Sequence, residues 1–347
     1  MTIRSARAPN SDRVCIMRAN RAERIRIVYF GTPAYAVPAL RALAENERVT
    51  VELVVTQPDR PAGRGRRLTP PPVKEFAVDH GIPVYQPETL RTEQDRAPIA
   101  AVDPDLFVVA AFGKIFGPRL LGIPALGSVN LHASLLPSYR GASPISAAIL
   151  DGQPETGVTL MQMDTGLDTG PVLAMRSTPI APEDTTASLT PRLAEIGAQL
   201  LIDTLPGIID GSIQPIPQDD DSATLTRPLV KADGWIDWSQ SAIDIERQVR
   251  AMWEWPRAWS TLDGQPVQIH RANVTACPGE HAPGTLLEGP LVVTGADCLR
   301  IEMAQSAGSK PLPGKAWLQQ ANAEGKVMGT SGVSEQPSVP MVRPVTG

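Results

Sequence analysis

Ile25-Arg-Ile-Val-Tyr-Phe-Gly-Thr-Pro33 is the stretch on which the fold turns. Its apolar half, Ile25 to Phe30, reads as a strand, Gly31-Thr-Pro33 as a tight turn, and Ala34 to Ala44 as a helix. The same unit recurs downstream. Strands are expected at Val49 to Thr56, Leu106 to Ala111, Ser128 to His132, Gly157 to Met163 and Val172 to Arg176. Helices are expected at Val73 to Asp79, Pro144 to Leu150 and Ser188 to Leu205. Leu106 to Ala111 is almost continuously apolar, as a strand covered on both faces requires. Strand and helix in alternation give an α/β domain with a doubly wound, mostly parallel sheet. Ligands of such sheets lie beyond the carboxyl ends of the strands.

Beyond this domain the texture changes. Residues 210–230 are polar and rich in Pro and Asp and read as a linker. From Lys231 a single helix, Ala242 to Met252, precedes about five short strands, which suggest a small OB-like β-barrel. The expected organisation is a catalytic domain at 24–209, a linker at 210–230, a barrel at 231–319 and a disordered tail at 320–347. Residues 1–23 stand apart as an extension, disordered or not translated. Across the first 24 residues, Arg4, Arg7, Arg13, Arg18, Arg21 and Arg24 are opposed only by Asp12 and Glu23. The segment reads as an organelle transit peptide, as a flexible basic arm, or as sequence upstream of a start at Met17.

The 347 residues carry a net charge of −5, which argues against indiscriminate nucleic-acid binding but not against a local basic patch. No apolar run approaches the roughly 18–20 residues that cross a bilayer. Cys15, Cys277 and Cys298 are far apart and lack metal or redox spacing, so idle thiols in a reducing compartment are expected. The four histidines form no cluster in sequence, and no metal is expected.

Chemistry concentrates in three segments. Asn130-Leu-His-Ala-Ser-Leu-Leu-Pro-Ser-Tyr-Arg-Gly141 puts an amide, an imidazole, a hydroxyl and a guanidinium just after an apolar strand. Asn130 and His132, two apart on an extended chain, share one face and can aim two donors at one developing charge. Asp164-Thr-Gly-Leu-Asp168-Thr-Gly170 is a Gly-punctuated acidic loop whose Asp168 could orient His132 and favour its charged form. Calcium ligation by Asp164 and Asp168 lacks the regular spacing and closing Glu, and a plain turn aspartate is the bland alternative. Gln57 to Pro70 carries Arg60, Arg64, Arg66 and Arg67 with Asp59 as its only acid. Its Gly and Pro are expected to keep it out of helix and sheet, and its charge suits phosphate-backbone contact or a solvated loop. Gly31-Thr-Pro33 lacks the spacing of a dinucleotide turn and reads as packing or a substrate contact. Trp235, Trp238, Trp253, Trp255 and Trp259 would anchor the small domain or stack on bases.

Together, these segments resemble the methionyl-tRNA formyltransferase family from about Ile25 to Trp317. The matching stretches are Phe30-Gly-Thr-Pro with Ala36 to Leu40, Thr56 to Lys74, Val108 to Ile115, Asn130 to Pro144, Thr156 to Gly170, and Lys231 to Trp238 with Ile236-Asp-Trp. The resemblance implies transfer of a formyl group from 10-formyltetrahydrofolate to the α-amine of methionine on initiator tRNA. It implies that Asn130, His132 and Asp168 are the catalytic set, that Ser134-Leu135-Leu136-Pro137 contacts the folate, and that the loop holding Arg64 enters the acceptor arm. A monomer acting in the cytoplasm is expected, or in an organelle matrix if the first 24 residues are a transit peptide. Phe112 departs from the family's usual Tyr, and Phe116-Gly117 from its Leu-Pro. Between 231 and 318 eight Lys/Arg face ten acids, so attraction for tRNA must come largely from the arginine loop. The alternatives are a formyltransferase for an amino sugar nucleotide or glycinamide ribonucleotide, and a catalytically silent tRNA-binding protein.

Overall fold

A computed structural model describes residues 24–62, 65, 67–329 and 340–345. The expectations for residues 1–23 lie outside them, as do Arg64, Arg66 and Cys15. The first domain is built on a seven-stranded sheet. In spatial order its strands are Val172–Pro179, Glu155–Gln162, Ser128–His132, Leu106–Ala110, Ile25–Gly31, Val49–Val55 and Val84–Tyr85. The five from Ser128–His132 to Val84–Tyr85 run parallel, and the first two pair antiparallel.

Alternation along Ile25–Gly31 explains why helices lie on both faces. Ile27 and Tyr29 join one buried cluster, with Leu40 and Leu43 of the helix Val37–Ala44 and Leu193 and Leu201 of the helix Thr186–Ile209. Val28 and Phe30 join the cluster on the other face, with Ile99 and Leu120. Phe30 meets Phe107, Phe112 and Phe116 edge to face, with centroids 5.0, 5.4 and 4.9 Å away. Burying each such ring stabilises the fold by about 2–3 kcal/mol. Gly31 is required by packing, since a Cβ there would lie 2.7 Å from that of Ala36 and 3.1 Å from the Ala110 carbonyl.

The arginine segment is not free of sheet. Arg60–Ala62 and Arg67–Thr69 form a two-stranded antiparallel hairpin, because Gly65, with φ of 103°, supplies the left-handed turn that the strands need. A helix at Glu93–Ala101 was not anticipated. A reciprocal cap between Thr92 and Asp95 starts it, while the internal Pro98 hides it from a propensity reading.

The second domain is an antiparallel sheet, in the order Ala258–Leu262, Gln265–Thr275, Cys298–Ser306, Leu291–Val293 and Leu286–Leu287, with Leu312–Pro313 pairing Cys298–Ser306. The expected barrel does not close, since its two edge strands do not pair. Segment 325–329 bridges them instead: Leu286 N donates to Lys326 O, and Gly329 N donates to Thr261 O. The reading of everything after 320 as a structureless tail is therefore corrected here, and again at Val342–Pro344, which pairs antiparallel with Thr224–Thr226 of the linker. Idle thiols are corrected too. Cys277 and Cys298 form a disulfide with Cα atoms 5.0 Å apart, because strand register sets Thr275 opposite Cys298. Trp238 and Trp317 are buried anchors of this domain, donating to Ser260 Oγ and Ser306 Oγ. Trp235 and Trp259 meet edge to face, with Lys231 over the latter. No helix among the described residues is long and apolar enough to cross a membrane.

Candidate active site

Asn130 and His132 lie within the last three positions of Ser128–His132, at the carboxyl edge of the sheet. Register sets Val109 beside Asn130 on one neighbouring strand and Thr159 beside His132 on the other. The two-residue spacing brings both side chains to one carboxylate. Asn130 Nδ2 donates to Asp168 Oδ1 at 3.3 Å, and His132 Nδ1 lies 3.5 Å from Asp168 Oδ2. The His132 side chain is 6% exposed and that of Asp168 17%, so their charges act in a poorly hydrated setting.

The remaining bonds fix this triangle from outside. His132 Nε2 donates to the carbonyl of Tyr139 at 2.9 Å. The N–H of Gly141 donates to Asp168 Oδ2 at 2.8 Å. Asp168 itself has φ of 54°, and its carbonyl accepts from Gln218 Nε2 at 2.8 Å. Asp164 is a turn residue: its Oδ1 accepts the N–H of Gly166 and the hydroxyl of Thr169 at 2.9 and 2.7 Å. Among the described residues no three His, Cys, Asp or Glu come together as a metal ligand set.

The segment Ser134 to Pro137 divides. Ser134 is fully buried, and its hydroxyl donates to the Ser138 carbonyl at 2.6 Å. Leu136 is buried with Met161 and Val172, and its N–H donates to Thr159 Oγ1. Leu135 and Pro137 keep part of their surface. Arg140, the guanidinium of the same stretch, is buried and committed to the linker, with Nε on Gln218 Oε1 at 3.0 Å and Nη2 on Asp220 Oδ1 at 2.7 Å. Gln218, Thr224 and Thr226, which support the site from the linker, were not anticipated. Their polar surroundings carry no periodicity that would single them out.

Two large apolar side chains are left open in the loops that follow these strands: Ile115 at 87% and Leu167, next to Asp168, at 56%. Phe112 and Phe116 point the other way and are buried. The carbonyl of Phe112 accepts from Gln57 Nε2 at 3.0 Å and Thr32 Oγ1 at 3.4 Å, tying three strand ends together.

At the base of the arginine hairpin, Lys74 Nζ reaches both oxygens of Asp59 at 2.8 Å, and Gln86 Nε2 donates to one of them at 2.8 Å. The Gln86 bond and the Lys74 ammonium hold the Asp59 carboxyl below its ordinary value. The one acid of the segment is thus taken by Lys74, and Arg60 and Arg67 are left exposed. The structure does not bring Arg60 or Arg67 into the Asn130–His132–Asp168 cluster.

Comparison with known proteins places these features in a family. The family model described as formyl transferase matches residues 23–205, and that described as formyl transferase, C-terminal domain, matches 228–322. The methionyl-tRNA formyltransferase of Chloroflexus aurantiacus is 47% identical over 305 residues, 86% of this chain and 98% of that protein. The methionyl-tRNA formyltransferase of a Roseiflexus species is 47% identical over 306 residues, 87% and 94% of the two chains. Among solved structures, the N-formyltransferase from Helicobacter canadensis, in complex with folinic acid and dTDP-3-aminofucose, shares the fold. Its TM-score is 0.60 at 20% identity, over 80% of this chain and 99% of that one. The chain belongs to the methionyl-tRNA formyltransferase family.

Proposed function

We propose that this protein transfers the formyl group of 10-formyltetrahydrofolate to the α-amine of methionine on initiator methionyl-tRNA. The observation that carries the chemistry is the convergence of Asn130 Nδ2 and His132 Nδ1 on Asp168 at the carboxyl edge of the sheet. Membership of the family, across both domains, supports the choice of acceptor.

Formyl transfer needs a neutral amine, a stabilised oxyanion and a proton for the leaving nitrogen. The pair His132–Asp168 takes a proton from the methionyl ammonium, so the free amine attacks the formyl carbon. A new C–N bond forms and the carbonyl oxygen becomes an oxyanion. Asn130, through its second N–H, and His132, through Nδ1–H, donate to that oxygen, a contribution of about 3 kcal/mol per donor. The oxyanion then collapses, the bond from carbon to N10 of the folate breaks, His132 returns the proton to that nitrogen, and the new amide nitrogen releases its second proton to water. Tyr139 occupies Nε2, so the proton moves through Nδ1.

The donor binds beside these residues. Ile115, Leu167, Leu135 and Pro137 offer apolar surface for its ring system, and the folate contact within residues 134–137 narrows to the latter two. Arg60, Arg64, Arg66 and Arg67 attract the acceptor arm of the tRNA. The exposure of Arg60 and Arg67 supports this role, because both keep their charge for phosphates. A comparison of acceptors tests the proposal: charged initiator tRNA should be formylated, and an amino sugar nucleotide or glycinamide ribonucleotide should not. Formylation of either small acceptor with none of the tRNA would reject it.

A further inference from the structure

Two of the bonds that fix the site from outside come from one short segment: the Tyr139 carbonyl holds His132, and the Gly141 N–H holds Asp168. That segment has little structure of its own. Arg140–Gly141 is a strand of only two residues, and Tyr139 and Gly141 have φ of 61° and 104°. A bulky residue such as Tyr139 stays left-handed only where its surroundings hold it there.

The linker strand Thr224–Thr226 does the holding. Tyr139 N donates to Thr224 Oγ1 at 2.8 Å, Thr226 Oγ1 donates to the Arg140 carbonyl at 3.0 Å, and Ser143 N donates to Thr226 Oγ1 at 3.2 Å. This strand is too short to stand alone. On its other edge lies Val342–Pro344, with Val342 opposite Thr226 and Pro344 opposite Thr224. Arg227 N donates to Met341 O at 3.3 Å, and Val345 N donates to Ala223 O at 3.2 Å. The side chains of Met341 and Val342 pack on the buried cluster of Tyr139, Ala147 and Ala148. Pro344 lacks an N–H and suits an outer edge. Segment 340–345 therefore packs on the cluster that contains Tyr139 and pins the strand that holds the Tyr139 backbone.

We infer that Met341 and Val342 are positioning residues for formyl transfer, clamping Thr224–Thr226 onto residues 139–143 and so holding the Tyr139 carbonyl and the Gly141 N–H on His132 and Asp168. The inference rests on the reading of Asn130, His132 and Asp168 as the site.

A chain ending at Val339 tests it against the full-length protein. Amide exchange at 139–143 should quicken, and kcat should fall roughly 10- to 100-fold, the scale of a reactive group displaced by about 1 Å. The KM for both substrates should stay within about two-fold, since no substrate contact is assigned to these residues. A peptide of residues 340–347 added in trans should restore kcat in a saturable way, by adding back the edge strand. The same peptide carrying Met341→Ser and Val342→Ser should not. A folded, truncated chain with full kcat overturns the inference, as does a loss of kcat that both peptides or neither repair. If the truncated chain does not fold, the full chain carrying Met341→Ser and Val342→Ser replaces it, and unchanged kcat there is the contrary result. An inactive full-length protein would sink the reading of the site instead. Exchange at 139–143, measured without substrate, would then decide on the clamp alone.

Discussion

The carbonyl of Tyr139 accepts the Nε2 proton of His132 at 2.9 Å. A carbonyl cannot donate, so this bond puts a proton on Nε2 and leaves Nδ1, 3.5 Å from Asp168, as the nitrogen that faces the reaction. The charge of Asp168 then matters more than its shape. Asp168→Asn keeps the volume and removes the charge. We expect kcat to fall about 10³-fold, within the usual range for a general acid–base partner. Steady-state kinetics on methionyl-tRNA check this, and a variant within a few-fold of the parent would free Asp168 from proton handling.

Gly141 gives the second constraint. Its Cα faces the carbonyl of Thr226 so closely that an added Cβ would collide with backbone, and its φ of 104° disfavours any side chain. Gly141→Ala should move the N–H that Asp168 accepts. A loss of kcat of roughly 10- to 100-fold is expected with little change in KM, because the displaced group acts in the transition state. Parent-like kcat would mean that this N–H does not position Asp168.

The sheet was legible because its strands carry uninterrupted apolar runs with helices between them. Asn130 and His132 were legible as a pair because a spacing of two fixes a common face. Their link to Asp168 was only a possibility in the sequence, because 38 residues and an antiparallel strand separate the partners. The linker's part was hidden. Thr224 and Thr226 act through backbone approach and hydroxyls, which leave no hydrophobic period. The disulfide was hidden for a similar reason, since Cys277 and Cys298 meet only through the register of two strands. The barrel was over-read: counting short strands does not show that the first and last will pair.

Charge in the hairpin makes a prediction about salt. Arg60 and Arg67 stand exposed on either side of the turn, while Asp59 is neutralised by Lys74. Replacing Arg60, Arg64, Arg66 and Arg67 by Gln should weaken tRNA binding. It should also flatten the slope of log affinity against log salt by about 0.7–0.9 for each phosphate that is no longer neutralised. Filter binding from low to high salt gives the slope, and an unchanged slope would remove the hairpin from the interface.

Asp184 predicts a pH dependence of stability. Burial pushes its carboxyl up. The Arg192 guanidinium at 2.5 Å, the Ala181 N–H at 2.8 Å and the Ser188 hydroxyl at 2.8 Å outweigh that and hold it below its ordinary value of 3.8. A carboxyl with a depressed folded pKa binds fewer protons in the folded state. Its stabilisation is therefore present above about pH 4 and is lost as pH falls through the folded value. Asp184→Asn should cost about 1–3 kcal/mol at pH 7. The gap from the parent should close in acid, as read by denaturant unfolding at several pH values. A gap independent of pH would assign the effect to packing instead.

Single-turnover formylation of charged initiator tRNA by the parent and by His132→Ala, with tRNA affinity measured for both, tests the central claim most directly. The account predicts a rate lower by about 10²- to 10⁴-fold with affinity within about two-fold, because His132 acts on protons and the developing oxyanion rather than on the tRNA backbone. A variant that formylates at the parent's rate would contradict it.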